Sequence, residues 1–141
     1  MLRLAWPMLW LGLTLAATPV QAQSALPRVE LRESQPNPVT TTTTIGFRLH
    51  AEVCAQGHVP TVSLQIYNVL VQVVAVPVLK AEGSPGIVNL KLPCGEYEAL
   101  WDGRLKDGRP AQTGVYYCQL TVDGQRFTQK LIVRRSSSGA T

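Results

Sequence analysis

His50, Cys54 and His58 stand four residues apart, and imidazole and thiolate are ligands that zinc and copper favour. On a helix that spacing would stack all three on one face. The surrounding sequence is not helical, because Gly57 and Pro60 interrupt it and an alternating apolar stretch runs straight into it. Cys54 also has a competing use. Cys54, Cys94 and Cys118 make an odd number, so in an oxidising compartment two pair and one is left over. No metal is therefore expected, with His50, Cys54 and His58 as the alternative set. There is no Cys-x-x-Cys pair to support redox work.

Acid–base and nucleophilic chemistry find less support. The chain has 2 histidines, no Gly-x-Ser-x-Gly elbow and no His-Glu-x-x-His. Glu96 and Glu98 share one face of a strand, opposite Tyr97 and Trp101, and read as solvated charges rather than as a glycosidase pair. No catalytic and no cofactor-binding residue is assigned, and the chain reads as a protein that is not an enzyme. Arg104, Lys106 and Arg109 cluster in one loop with Asp102 and Asp107 among them. A solvated turn explains them better than a phosphate or glycan site, and they are kept as a possible partner contact. The formal charge of +4 includes Arg3; without it the remainder is too mildly and evenly basic to argue for nucleic acid.

The elements that must position these residues are short strands behind an export signal. Met1 to Ala22 carries one charge, Arg3, then the apolar run Leu9 to Ala17 and the small-residue site Val20-Gln21-Ala22, which is the pattern of a cleaved secretory signal peptide. The apolar run is too short to span a bilayer, which needs about 20 residues, so no transmembrane anchor is expected after cleavage. Residues 23–39 read as an extended, loosely held leader with Pro27, Pro36 and Pro38. Residues 40–135 hold the domain, and 136–141 read as a disordered tail. Ile45, Phe47 and Leu49 alternate with Thr44, Gly46 and Arg48, and Val62, Leu64 and Ile66 with Ser63, Gln65 and Tyr67, in a second strand from Thr61 to Val69. A third strand is expected over Val73 to Lys80, at an edge because Pro77 donates no ladder bond. Further strands are expected over Ile87 to Leu92 (Val88, Leu90 and Leu92 on one face), Glu96 to Trp101, Gly114 to Val122, and about Arg126 to Arg135. Asp123-Gly124 marks the turn of the last hairpin. The sum is all-β: about seven antiparallel strands in a two-sheet β-sandwich.

Cys54 lies between the first two strands and Cys94 just before the Glu96 strand. Placing both connections at the same end of the sandwich predicts a Cys54–Cys94 disulfide. Cys118, mid-strand on the inward face, then stays free as a small hydrophobe.

Trp101-Asp102-Gly103-Arg104, followed by Asp107-Gly108-Arg109-Pro110 and Gly114-Val115-Tyr116-Tyr117, resembles the Trp-Asp-Gly…Gly-x-Tyr hairpin of bacterial immunoglobulin-like modules. These are the domain of the flagellar hook-capping protein and the C-terminal sorting domains of type IX secretion. Gln35-Pro36-Asn37-Pro38 resembles the Asn-Pro motif that opens such modules, with Asn37 and Pro38 followed by a threonine-rich first strand. Lys130 to Arg134 resembles the basic–apolar closing strand of the sorting domains. The motif residues so identified are Asn37, Pro38, Trp101, Asp102, Gly103, Gly108, Gly114 and Tyr116. Where those modules place glycine in the hairpin after the tyrosine-containing strand, this chain has Val71. The resemblance implies an immunoglobulin-like sandwich and a non-enzymatic, exported role in protein–protein interaction, assembly or sorting at the bacterial cell envelope. The alternative is a small periplasmic ligand- or metal-binding protein using the Ala51–Pro60 insertion. The expected partner is an envelope or extracellular protein. A monomer is expected because Pro77 and the terminal arginines block the sheet edges.

Overall fold

The computed structural model describes residues 7, 11–19 and 28–137. The cleavage site at Val20–Ala22 and the end of the tail, Ser138–Thr141, lie outside the described residues. Among the described residues no helix is long and apolar enough to cross a membrane.

Nine strands form two antiparallel sheets: β1 (Val29–Leu31), β2 (Thr43–Leu49), β3 (Thr61–Tyr67), β4 (Val73–Ala75), β5 (Val78–Leu79), β6 (Leu90–Lys91), β7 (Gly95–Trp101), β8 (Gly114–Val122) and β9 (Gln125–Val133). One sheet runs β1-β2-β7-β5 and the other β4-β3-β8-β9, with β6 also on β3. This is the immunoglobulin order of strands, with β2 and β7 facing β3 and β8 across the core. The period-two pattern decides the faces. Thr43, Ile45, Phe47 and Leu49 of β2 are buried, as are Val62, Leu64 and Ile66 of β3 and Tyr116, Cys118, Leu120 and Val122 of β8. These side chains meet in two clusters along the strands. The larger is built on Ile45, Phe47, Leu64 and Leu120, the smaller on Trp101, Tyr116, Ile66 and Val133.

Four expectations need correction. The segment Val73 to Lys80 is not one strand: β4 belongs to one sheet and β5 to the other, and the chain crosses at Val76-Pro77. A residue without an N–H suits a point where the chain leaves one ladder for another, so Pro77 does mark an edge, but of both sheets. The strand over Ile87 to Leu92 shrinks to Leu90–Lys91. Ile87, fully buried, plugs the gap on β3 between β4 and β6 with its carbonyl on the Leu64 N–H, while Val88 is exposed. The leader is not loosely held from Val29 onward. β1 pairs with β2, and Val39, also fully buried, forms a parallel bridge to Val133. The second strand ends at Tyr67 rather than Val69, because Asn68 opens a turn. The leader strand and the split third strand bring the count from about seven to nine.

That turn holds Val71 at φ 60°, the left-handed conformation a glycine would take without strain. The Asn68 side-chain oxygen accepts the N–H groups of Leu70 and Gln72, each at 3.0 Å, and fixes it. At the last hairpin, Asp123 and Gly124 adopt φ 48° and 83°, the geometry of a two-residue type I′ turn.

Candidate functional site

Trp101 ends β7 on the inward face and is 2% exposed. Its indole N–H cannot be buried unpaired, and it donates to the Arg104 carbonyl at 2.9 Å. This bond requires the chain to reverse within three residues. Asp102 supplies the reversal, accepting the Arg104 N–H on its side-chain oxygen at 3.0 Å. Gly103 completes it at φ 75°. It packs so closely on the Thr41 carbonyl that a Cβ would collide with it. The loop then closes on itself: Leu105 N–H donates to the Arg109 carbonyl at 2.8 Å and Gly108 N–H to the Leu105 carbonyl at 2.9 Å. Lys106 N–H docks the loop on β4 through the Val74 carbonyl.

Arg135, just past β9, locks this arrangement. Its guanidinium donates to the carbonyls of Ala111 and Thr40 at 2.9 and 2.8 Å, and to that of Gly103. One planar, always-charged group thereby bonds three carbonyls in two segments, the stretch before β2 and the β7–β8 connection, and ties both to the end of β9.

The three cations of the loop are not equivalent. Arg104 donates to the Gly108 carbonyl at 2.9 Å. Arg109 bonds Asp107 through both its backbone N–H and its guanidinium, at 3.0 and 2.6 Å, and this pairing holds the Asp107 carboxyl below its ordinary pKa. Among the described residues, Lys106 alone of the three has neither a side-chain hydrogen bond nor an ion pair. A cleft of about 690 Å³ opens beside the loop, lined by Asn68, Val74, Leu105, Arg109, Tyr116 and Arg135 among others.

The Tyr116 hydroxyl donates to the Gln112 carbonyl at 2.9 Å. Four residues back along the chain, at the start of the strand and two residues before Cys118, this is the tyrosine corner of immunoglobulin-type sandwiches. The Tyr-x-Cys spacing is the sequence signal for it, beyond the place of Tyr116 in the hairpin motif. The partner strand offers no cysteine: β2 presents Ile45, Phe47 and Leu49 to the core. Cys118 is 1% exposed and free, and burial pushes its thiol up to about 12.

Cys54 and Cys94 form the expected disulfide, with Cα atoms 6.1 Å apart. This dismantles the alternative metal set. Cys54 is spent, His50 Nε2 lies 3.0 Å from Glu30, and His58 Nε2 lies 2.7 Å from Asp123. The region is two short 3-10 turns within Ala51–Gly57, broken at Cys54–Gln56, so the residues never share a helical face. Glu96 lies on Arg32 and Arg48, at 3.0 and 3.6 Å, and Glu98 on Lys80 at 3.0 Å. These are exposed pairs along the outer face of the sheet.

Asn37, at the motif that opens the domain, acts as a short piece of strand. Its side-chain oxygen accepts the Ile132 N–H at 3.0 Å and its amide donates to the Lys130 carbonyl at 3.5 Å. Pro38 follows it and leads to Val39, which continues the same edge through its N–H to Ile132 and its carbonyl from Arg134.

Fold and loop together define an all-β, immunoglobulin-like sandwich whose end connection is stiffened from within. No protein-family profile matches the chain, and no curated protein does. Among solved structures it is similar to part of dimeric latent PorU from Porphyromonas gingivalis, with a TM-score of 0.53 and 20% identity. The match covers 77% of this chain and 9% of that one, so the chain spans a small fraction of PorU's length. What the two share at this identity is the fold.

Proposed function

We propose that this protein is a non-enzymatic, exported immunoglobulin-like module that binds an envelope or extracellular protein, in assembly or sorting. The observation that carries the reading is the likeness, over 77% of the chain, to a part of PorU, a type IX secretion protein. The Cys54–Cys94 disulfide supports export, since such bonds persist in oxidising compartments. Of the two roles that the sequence resemblance implies, PorU favours the sorting-domain side over the filament cap. The module works as a monomer, without cofactor and without nucleic acid.

Contact runs through the Trp101–Arg109 connection, where a rigid base presents an exposed loop. Lys106 is its free charge. Lys106→Glu should leave the melting temperature unchanged and weaken capture of an envelope protein by the immobilised mature protein at least fivefold. Capture of no envelope or secreted protein by the parent would sink the whole reading. Equal capture by parent and variant would remove the loop from it.

A further inference from the structure

The edge of β9 is covered over half its length only. Because Asp123-Gly124 closes β8 and β9 with Val122 opposite Gln125, odd-numbered residues of β9 bond inward to β8 and even-numbered ones turn their N–H and C=O outward. Ile132 confirms the parity: its outward groups are taken by the Asn37 side chain and the Val39 N–H. Asn37 also reaches the Lys130 carbonyl. There the cover stops. Among the described residues nothing bonds the N–H groups of Arg126, Thr128 and Lys130, or the carbonyls of Arg126 and Thr128. The chain that could have covered them, β1, lies in the other sheet, and among the described residues the one hydrogen bond across the gap is from the Gln129 side chain to the Leu31 carbonyl.

We propose that the open half of β9, from Arg126 to Lys130, is a docking edge for an extended, acidic segment of a partner protein, which adds to the sheet as a further strand. It deepens the interaction-module reading and rests on it, naming a contact separate from the loop. Strand addition gives affinity through main-chain bonds and specificity through alternate side chains. Here the alternate side chains are Arg126, Thr128 and Lys130, all exposed. Their charge selects the occupant. A second copy of this chain, paired antiparallel about Thr128, would set Arg126 beside Lys130 of its mate, and like charges opposite each other disfavour that pairing. A strand carrying Glu or Asp at those positions meets complementary charge instead. The edge thus turns away its own kind and stays open to an acidic one.

The mature protein, labelled with 15N, is titrated with a short fluorescein-labelled peptide alternating Glu with Val and Thr, and separately with the Lys counterpart. The expected result is at least tenfold tighter binding of the Glu peptide, with shifts centred on the Arg126, Thr128 and Lys130 amides. Thr128→Pro deletes an outward N–H without touching the β8 ladder and should cut that binding at least tenfold. Arg126→Glu with Lys130→Glu should invert the preference toward the Lys peptide. Equal binding of both peptides, shifts elsewhere, or binding unchanged in Thr128→Pro would each overturn the proposal. So would slow exchange of those three amides in the free protein, which would mean that the chain ahead of Arg28 already covers the edge. If Thr128→Pro still captures the parent's envelope partner, the docking edge fails while the interaction-module reading stands.

Discussion

At one end of the sandwich, a covalent bond between Cys54 and Cys94 ties the connection after β2 to the start of β7. The connection itself is irregular, with Gln56 at φ 59° and no buried residue among Ala51–Gly57. At the other end, no covalent bond is present among the described residues. Trp101, Gly103 and Arg135 hold three segments together by burial, close approach and bonds from side chains to main-chain carbonyls. The first end tolerates irregular backbone because the cross-link bears the constraint. The second has no such reserve, so each of its residues is specified by what it touches.

The sharpest way to break the comparison is Trp101→Ala, which removes the centre of the smaller cluster and should cost about 3–5 kcal/mol in a denaturant titration. An unchanged midpoint would dissolve the distinction. Removing the cross-link as Cys54→Ser with Cys94→Ser frees a loop spanning 40 residues and should cost up to about 4 kcal/mol. Hydrogen exchange should then quicken at Leu49 and Gly95 but not at Tyr116; loss of protection at both ends would show that they are not independent. Arg135→Ala removes the guanidinium from three carbonyls, of which Gly103 keeps the Ala111 N–H and Thr40 is exposed, and should cost about 1–3 kcal/mol. Arg135→Lys should recover little, because an ammonium cannot reproduce the planar fork.

Val71→Gly tests the reverse direction, relieving a left-handed residue in an exposed turn. It should stabilise by about 1 kcal/mol in the same titration. The smallest expected effect is at the disulfide end. The Asp123 carboxyl accepts the Thr61 N–H and pairs with His58, which lowers its pKa. A carboxyl with a depressed folded-state pKa stabilises above its unfolded value and loses that contribution as pH falls through the folded one. Parent and Asp123→Asn should therefore converge in stability on acidification below the ordinary aspartate range.

Periodicity made the long strands legible, because one face of each is buried and the alternation in β2, β3, β7 and β8 is unbroken. The cysteine pairing is the expected one, but a simple up-and-down order would set the two connections at opposite ends; they meet because β7 pairs antiparallel with β2, with Leu49 opposite Gly95. Short edge elements were not legible. β4 and β5 have three and two residues, too few for a period to register, and which sheet each joins depends on β3 and β7, far away in sequence. Ile87 is buried as a plug rather than as part of a strand, so alternation pointed to Val88 instead. The loop cations were visible as a cluster. Their inequality was not, because it depends on which carbonyl each guanidinium happens to reach. The role of Arg135 could not be read from sequence at all, since its acceptors are backbone groups that any residue would supply.

Cys118 has a bearing on how the chain reaches this structure. Inside the sandwich Cys118, opposite Ile66 and Gln129 on the neighbouring strands, is buried in the larger core cluster, where its thiol is shielded from oxidants and other thiols. That immunity belongs to the folded state. An unfolded chain with 3 cysteines can oxidise in three ways, and two of them consume Cys118, holding β8 where it cannot enter the sheet. Only chains in which β8 is buried before oxidant arrives are certain to close the right ring. The order of collapse and oxidation therefore divides nascent molecules between a direct route and two mispaired forms that must first reopen by thiol–disulfide exchange.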